Sequence, residues 1–203
     1  MSENGHEGTI YIVDDDQAIR HAMGLLMKSV GLTCEIFESA DEFLADHTNG
    51  RSGCLVLDIR MPGMGGLELQ DKLRDLDCTL PIIFITGHGD IPMAVEAMQK
   101  GAFDFIQKPF RDQELLDRIQ DALKTEREQR SRREKLSVVR DKLSRLTKRE
   151  HEVFDLVVTG KPNKIIAHEL GVSQRTVEIH RARVMEKMEA RSLADLVRMQ
   201  LTA

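Results

Sequence analysis

Five short apolar runs alternate with amphipathic stretches through the first half of this 203-residue chain, and that alternation restricts the fold more than any other feature. Thr9–Val13, Thr33–Phe37, Cys54–Leu57, Leu80–Ile85 and Ala102–Ile106 read as strands. Gln17–Val30 carries Ile19, Ala22, Met23, Leu26, Met27 and Val30 on one helical face, and Ala40–Asp46 and Leu67–Leu76 are also helical. Asp90 is placed to cap a further helix, with Pro92 in its first turn, running towards Lys100; a last helix starts near Asp112. Strand–helix repeated in this way predicts an α/β flavodoxin-like domain, a five-stranded parallel sheet of order 2-1-3-4-5 covered by helices on both faces.

The second half is a different material. Up to Lys124 there are 11 Lys+Arg and 22 Asp+Glu, a net charge of −11; from Thr125 onward there are 18 and 12, a net of +6. An acidic half joined to a basic half predicts two domains with different partners, the basic one being the candidate for nucleic acid. We expect boundaries at 1–123, 124–142 and 143–203. From Lys124 to Lys135 there is neither an apolar residue nor a helix breaker, so a solvated helical linker is expected rather than a coiled-coil seam. Leu136, Val139, Leu143 and Leu146 then resume a helical spacing.

The remainder is all-α. Thr147-Lys148-Arg149-Glu150 has the form of a capping box and opens a helix that ends at Thr159-Gly160. Asn163–Leu170, the turn Gly171-Val172-Ser173 and Gln174–Met188 form a helix-turn-helix, followed by a final helix over Ser192–Gln200. Val177, His180, Val184 and Met188 share one face of the second helix and should pack inward, His180 as a hydrogen-bonded core histidine rather than a metal ligand. Arg175, Glu178, Ile179 and Ala182 occupy the opposite face with Arg183 at its edge, and that face suits the major groove. Lys164 and the helix start at Ser173 and Thr176 suit phosphate contacts.

No apolar run approaches a membrane span, so no membrane association is expected, and the polar N-terminus lacks the pattern of a signal peptide. Cys34, Cys54 and Cys78 are odd in number and show no metal spacing. Together these predict a cytoplasmic protein.

The run Gly53-Cys54-Leu55-Val56-Leu57-Asp58 ends a buried strand on a carboxylate, at the sheet edge where open α/β folds bind ligands. Asp14, Asp15 and Asp16 follow the first strand directly, and order 2-1-3-4-5 makes that strand a neighbour of the one ending at Asp58. Carboxylates gathered in one cleft call for a cation, and Mg²⁺, which takes a few carboxylates and keeps sites for phosphate oxygens, is the expected one. Asp16 can simply cap the next helix. Thr86 ends the fourth strand with a hydroxyl, followed by Gly87-His88-Gly89, and Lys108 follows the fifth with a point charge suited to phosphoryl oxygens.

Asp14-Asp15, Asp58-Ile59-Arg60-Met61-Pro62-Gly63, Thr86 and Lys108-Pro109-Phe110 resemble the receiver domain of two-component response regulators over Thr9 to Leu123. The stretch from Ile85 to Ala94 is similar to the FixJ type. The segment Leu143–Gln200, through Leu146–Glu150, Asn163–Ala167 and Arg175–His180, resembles the LuxR/NarL-type output domain. One departure is Gly65, where many receivers carry Asp. The resemblance implies that Asp58 accepts a phosphoryl group from a sensor histidine kinase. It implies that Asp15, Asp58 and the Arg60 backbone carbonyl hold Mg²⁺ with Asp14 in the outer shell. Lys108 would contact the phosphoryl group across a cis bond to Pro109, Thr86 would turn towards it, and Phe105 would swing inward. It also implies a homodimer on promoter DNA after activation. A hydrolase with an aspartyl-phosphate intermediate would need a carboxylate two residues after the nucleophile, where this chain has Arg60, so no turnover enzyme is expected. The alternative is a receiver-controlled regulator whose tail binds RNA or protein, against which the helix-turn-helix pattern argues.

Overall fold

Alternate residues of each apolar run meet different neighbours, which is why the runs form a sheet buried on both sides. The computed structural model describes residues 8–46, 50–87 and 91–202 and resolves two units, Met1–Gln129 and Arg130–Ala203. In the first, β1 (Thr9–Val13), α1 (Gln17–Ser29), β2 (Cys34–Phe37), α2 (Ala40–Ala45), β3 (Gly53–Asp58), α3 (Gly66–Asp75), β4 (Ile82–Thr86), α4 (Ile91–Gln99) and β5 (Asp104–Gln107) lead into α5 (Asp112–Ser144). All strand pairs are parallel and the order is β2-β1-β3-β4-β5, as expected. Ile10, Ile12, Cys54, Val56, Ile83, Ile85 and Ile106 pack under Met23 and Met27 of α1 and Leu115 and Ile119 of α5. Tyr11, Val13, Leu55, Leu57 and Phe84 face the other way, against Phe43 of α2, Leu69 and Leu73 of α3, and Ala94 and Ala97 of α4. Among the described residues no helix is long and apolar enough to cross a membrane.

Two strand starts move by two residues from their expected places, and the other strand bounds by at most one. β4 begins at Ile82 rather than Leu80, because Pro81 has no N–H to give the ladder, although its carbonyl accepts from the Leu55 N–H at 2.9 Å. β5 begins at Asp104 rather than Ala102, because the Ala102 N–H closes the end of α4 on the Ala97 carbonyl at 3.0 Å. The expected cap Asp90, with His88 and Gly89, lies outside the described residues. Cys34, Cys54 and Cys78 are all free, and burial pushes the Cys54 thiol upwards in pKa.

Arg51, in the loop before β3, was not singled out in the sequence. Its guanidinium lies 4.2 Å from the Phe43 ring centre, 4.6 Å from Tyr11 and 5.4 Å from Phe37, and one of its nitrogens donates to an Asp46 carboxylate oxygen at 2.7 Å. Desolvated cation–π contacts of this kind contribute about 2 kcal/mol each at best. They hold Arg51 over the aromatic end of the core.

The charged stretch after Leu123 continues α5 as one 33-residue helix. In the second unit, α6 (Lys148–Val158), α7 (Asn163–Leu170), α8 (Gln174–Lys187) and α9 (Leu193–Thr202) enclose Leu146, Val153, Phe154, Val157, Ile166, Val177, Val184, Met188 and Leu196. Gly171 closes α7 in the left-handed region at φ 64°, a conformation that glycine adopts without strain. Thr147 and Glu150 form the complete capping box.

Glu150 does more than cap. It is only 2% exposed, and its carboxylate accepts from Lys187 of α8 at 2.6 Å as well as from the Thr147 N–H at 2.8 Å. The Lys187 hydrogen bond, then the backbone bond, lower its pKa from 4.5 to about 2. A carboxylate depressed in the folded state stabilises above its unfolded pKa, and that contribution is lost as pH falls towards the folded value. Glu150→Gln is therefore expected to cost the second unit about 2 kcal/mol at neutral pH, the scale of a lost charged hydrogen bond. The cost should shrink on acidification towards pH 2, which exchange of the α6 amides followed by NMR through an acid titration will show. A cost independent of pH would mean that the carboxylate charge is not what holds α6 to α8.

Candidate functional site

The two-residue period of the strands extends past their ends and assembles the first site. Ile12, Val56 and Ile106 all face α1 and α5, and Asp14, Asp58 and Lys108 stand two positions further along on three different strands. They converge at the carboxyl edge of the sheet. The Lys108 ammonium donates to Asp58 Oδ2 at 2.6 Å and to Asp14 Oδ2 at 2.9 Å. The second oxygen of each acid is also used: Asp58 Oδ1 accepts from the Arg60 N–H at 3.0 Å, and Asp14 Oδ1 from the Asp16 N–H at 2.8 Å. Asp14 is 0% exposed and Asp58 9%.

Burial of this depth shapes the charge states. Desolvation raises the Asp14 carboxyl above the usual range, opposed by its bonds from Lys108 and from the Asp16 N–H. Burial by itself would lower Lys108, but its bonds to Asp58 and Asp14 outweigh that and hold it as a cation. Asp15 is exposed, and one oxygen from each of Asp14, Asp15 and Asp58 lies within 4.8 Å of the others. Such a set of hard oxygen donors suits a divalent cation of the Mg²⁺ or Ca²⁺ kind. Asp16 is the N-cap of α1 and accepts from the Ala18 N–H at 2.7 Å.

Thr86 is buried at the end of β4, and its carbonyl accepts from the Lys108 N–H at 2.7 Å. The Lys108–Pro109 peptide is cis. Phe105 is in register with Phe84, and Thr86 lies two residues beyond Phe84, so both stand on the α4 side of the sheet. Phe105 is 40% exposed there, on the edge strand. Arg60 is exposed in the loop after β3. Sequence reasoning missed Arg20, whose Nη1 donates to the Asp14 backbone carbonyl at 2.7 Å.

In the second unit, Val177, Val184 and Met188 are fully buried, while Ile179 is 44% exposed and Arg175, Ala182 and Arg183 are exposed beside it. Lys164 is exposed on α7. Ser173 and Thr176 are occupied with each other: Ser173 Oγ accepts from the Thr176 N–H at 3.0 Å, and their hydroxyls lie 2.8 Å apart. Glu178 accepts from Arg175 at 3.4 Å. His180 departs from expectation. It is half-buried, but its Nδ1 is buried without a hydrogen-bond partner among the described residues, because the strip it shares with Val177 and Val184 faces an apolar cluster. A second contact unforeseen in the sequence joins the two helices of the motif, Arg181 of α8 donating to Asn163 Oδ1 of α7 at 3.0 Å.

Residues 10–120 match the family described as "Response regulator receiver domain", and residues 144–200 match "Bacterial regulatory proteins, luxR family". The chain is 49% identical over 189 residues to the response regulator protein TodT of Pseudomonas putida, an alignment spanning 93% of this chain and 83% of TodT. It is 46% identical over 193 residues to the transcriptional regulatory protein FixJ of Rhizobium meliloti, spanning 95% of each. The solved structure of the response regulator StyR matches with a TM-score of 0.89 at 45% identity, over 96% of this chain and 98% of that one. The chain therefore belongs to the response regulators that join a receiver domain to a LuxR-type DNA-binding domain.

Proposed function

We propose that the chain is a phosphorylation-switched transcription factor in which Asp58 accepts a phosphoryl group from a sensor histidine kinase, so controlling dimerisation and promoter binding. The observation that carries this is the Lys108 bridge, 2.6 Å to Asp58 and 2.9 Å to Asp14, at the carboxyl edge of the sheet. An Asp58 oxygen attacks phosphorus, the P–N bond to the donor imidazole breaks, and the imidazole keeps the electron pair and takes up a proton. Lys108 transfers its hydrogen bond from the acceptor carboxylate to the incoming phosphoryl oxygens. Asp15, Asp58 and the Arg60 carbonyl would hold Mg²⁺; Asp14, the more deeply buried of the two acids that Lys108 bridges, suits the outer shell. The bound ion supplies neutralising charge for the phosphoryl oxygens. Thr86 and Phe105, on the α4 side, are the residues through which added charge at Asp58 alters the outer surface. With Arg60 in place of a second acid, the chain is a switch and not a turnover enzyme.

The phosphoryl state is read out by α8. Arg175, Glu178, Ile179, Ala182 and Arg183 enter the major groove, while Lys164 and the α8 start at Ser173 and Thr176 meet phosphates. The pairing of Ser173 with Thr176 leaves α8 capped before DNA arrives, so its N-terminus meets a phosphate without reordering. Residues 1–123 are the receiver, 124–142 the linker and 143–203 the output domain; the first core ends at Leu123 and the output core takes in Leu143, which supports those limits. The kinase, the promoter and a second copy of the chain are then cytoplasmic partners.

Arg183→Ala is expected to weaken promoter binding by about tenfold, the cost of one base or phosphate contact. A gel shift with phosphorylated protein measures it, and an unchanged shift argues against this docking. A nuclease footprint separates DNA readout from a tail that binds RNA or protein.

A further inference from the structure

We propose that Arg20 is a positioning residue for the acidic pocket: by holding the Asp14 carbonyl it fixes the direction from which Asp15 presents its carboxylate to a divalent cation. The inference rests on the assignment of Asp14, Asp15 and Asp58 to a Mg²⁺ site. β1 ends at Val13 and α1 begins at Gln17, so Asp14, Asp15 and Asp16 make the whole connection. The strand ladder stops before the Asp14 carbonyl, and a carbonyl buried at that point needs a donor. Arg20 Nη1 provides it at 2.7 Å.

That carbonyl belongs to the planar peptide joining Asp14 to Asp15, so its direction sets where the Asp15 side chain departs. The flanking contacts leave little freedom on either side. Asp14 Oδ1 accepts from the Asp16 N–H at 2.8 Å, and Asp16 Oδ1 accepts from the Ala18 N–H at 2.7 Å. Asp14 itself is anchored below by Lys108 at 2.9 Å. Asp15 thus stands exposed in a connection whose backbone is fixed on both sides of it. The placement of Arg20 supports a dedicated role. It lies in the first turn of α1, where the helix dipole disfavours a cation, and that turn carries no acidic side chain to offset it. Its guanidinium nonetheless folds back over the strand end, to the Asp14 carbonyl.

Partners that orient metal ligands change metal affinity by about ten- to a hundredfold when removed. Titration calorimetry with MgCl₂ alone, on the full chain, tests the idea with Arg20→Met and Arg20→Lys. Lysine keeps the charge but not the planar reach of the guanidinium. Both variants are expected to bind Mg²⁺ about tenfold more weakly than the unaltered chain, while circular dichroism shows the metal-free protein still folded. If Arg20 acted only as a charge, its loss in Arg20→Met would tighten Mg²⁺ binding and Arg20→Lys would match the unaltered chain; either result overturns the proposal. Should Arg20→Met fail to fold, the Arg20→Lys titration decides by itself. An unaltered chain that gives no Mg²⁺ isotherm would instead overturn the metal site beneath the proposal, and the proposal with it.

Discussion

Asp58→Asn is expected to reduce labelling by acetyl phosphate in the presence of Mg²⁺ to background, measured by intact-protein mass spectrometry. Asparagine preserves the shape of the site. Its amide oxygen can still accept from the Arg60 N–H, which lies 3.0 Å from Asp58 Oδ1. The other position becomes an NH₂ group, a donor with no nucleophilic oxygen, facing the ammonium of Lys108 that sits 2.6 Å from Asp58 Oδ2. Lys108 keeps Asp14 as a counter-ion at 2.9 Å, so the pocket does not collapse around an unpaired buried charge. The loss is therefore chemical, and the circular dichroism of the variant should match that of the unaltered chain. Undiminished labelling of a folded Asp58→Asn protein would move the acceptor to another carboxylate and remove the basis of the proposed switch.

The pocket around Asp58 was legible in the sequence because its signals are local. A carboxylate ending the apolar run Cys54–Leu57, an acidic pair ending the run at Val13 and a lysine after the run at Ile106 each stand out against a buried strand. Strand–helix alternation then dictates which strand ends are neighbours, and the observed order brings Asp14, Asp58 and Lys108 within hydrogen-bond reach. The contacts that escaped notice belong to arginines and lysines whose partners are distant in sequence or are backbone atoms. Lys187 reaches Glu150 across 37 positions, and Arg51 sits among three aromatic rings drawn from β1, β2 and α2. Long flexible cations carry no period and no fixed spacing, so nothing in the sequence marks which one turns inward. Arg20 did carry a faint mark, a cation in the first turn of a helix, where an acid is the favoured residue. His180 shows the opposite failure: helical spacing placed it inward correctly, but spacing has no information on whether Nδ1 finds a partner.

The backbone around Asp58 is set by a glycine one residue ahead of the expected helix Leu67–Leu76. Gly66, the first residue of α3, donates its N–H to the Ile59 carbonyl at 3.0 Å. A Cβ built on it would stand 2.3 Å from the Asp58 carbonyl oxygen, 3.0 Å from Cε1 of the buried Phe84 ring and 3.1 Å from the Ile59 Cα. None of these is the mobile tip of a side chain, so Gly66→Ala must displace either the end of β3 or the start of α3. Overpacking of a rigid site costs about 1–3 kcal/mol, and here it falls on the backbone of Asp58 itself. We expect the receiver melting temperature to fall by roughly 10 °C, at about 4–8 °C per kcal/mol for a domain of this size, and acetyl phosphate labelling of Asp58 to slow with it. Gly65→Ala is the matched control. Its Cβ would meet only the Ile59 carbonyl oxygen at 3.5 Å, an ordinary contact, and its backbone at φ −75° is open to any residue. That variant should melt and label like the unaltered chain. Equal behaviour of the two variants, both tolerated or both damaged, would show that the close approach of α3 to Asp58 is not what holds that carboxylate in place.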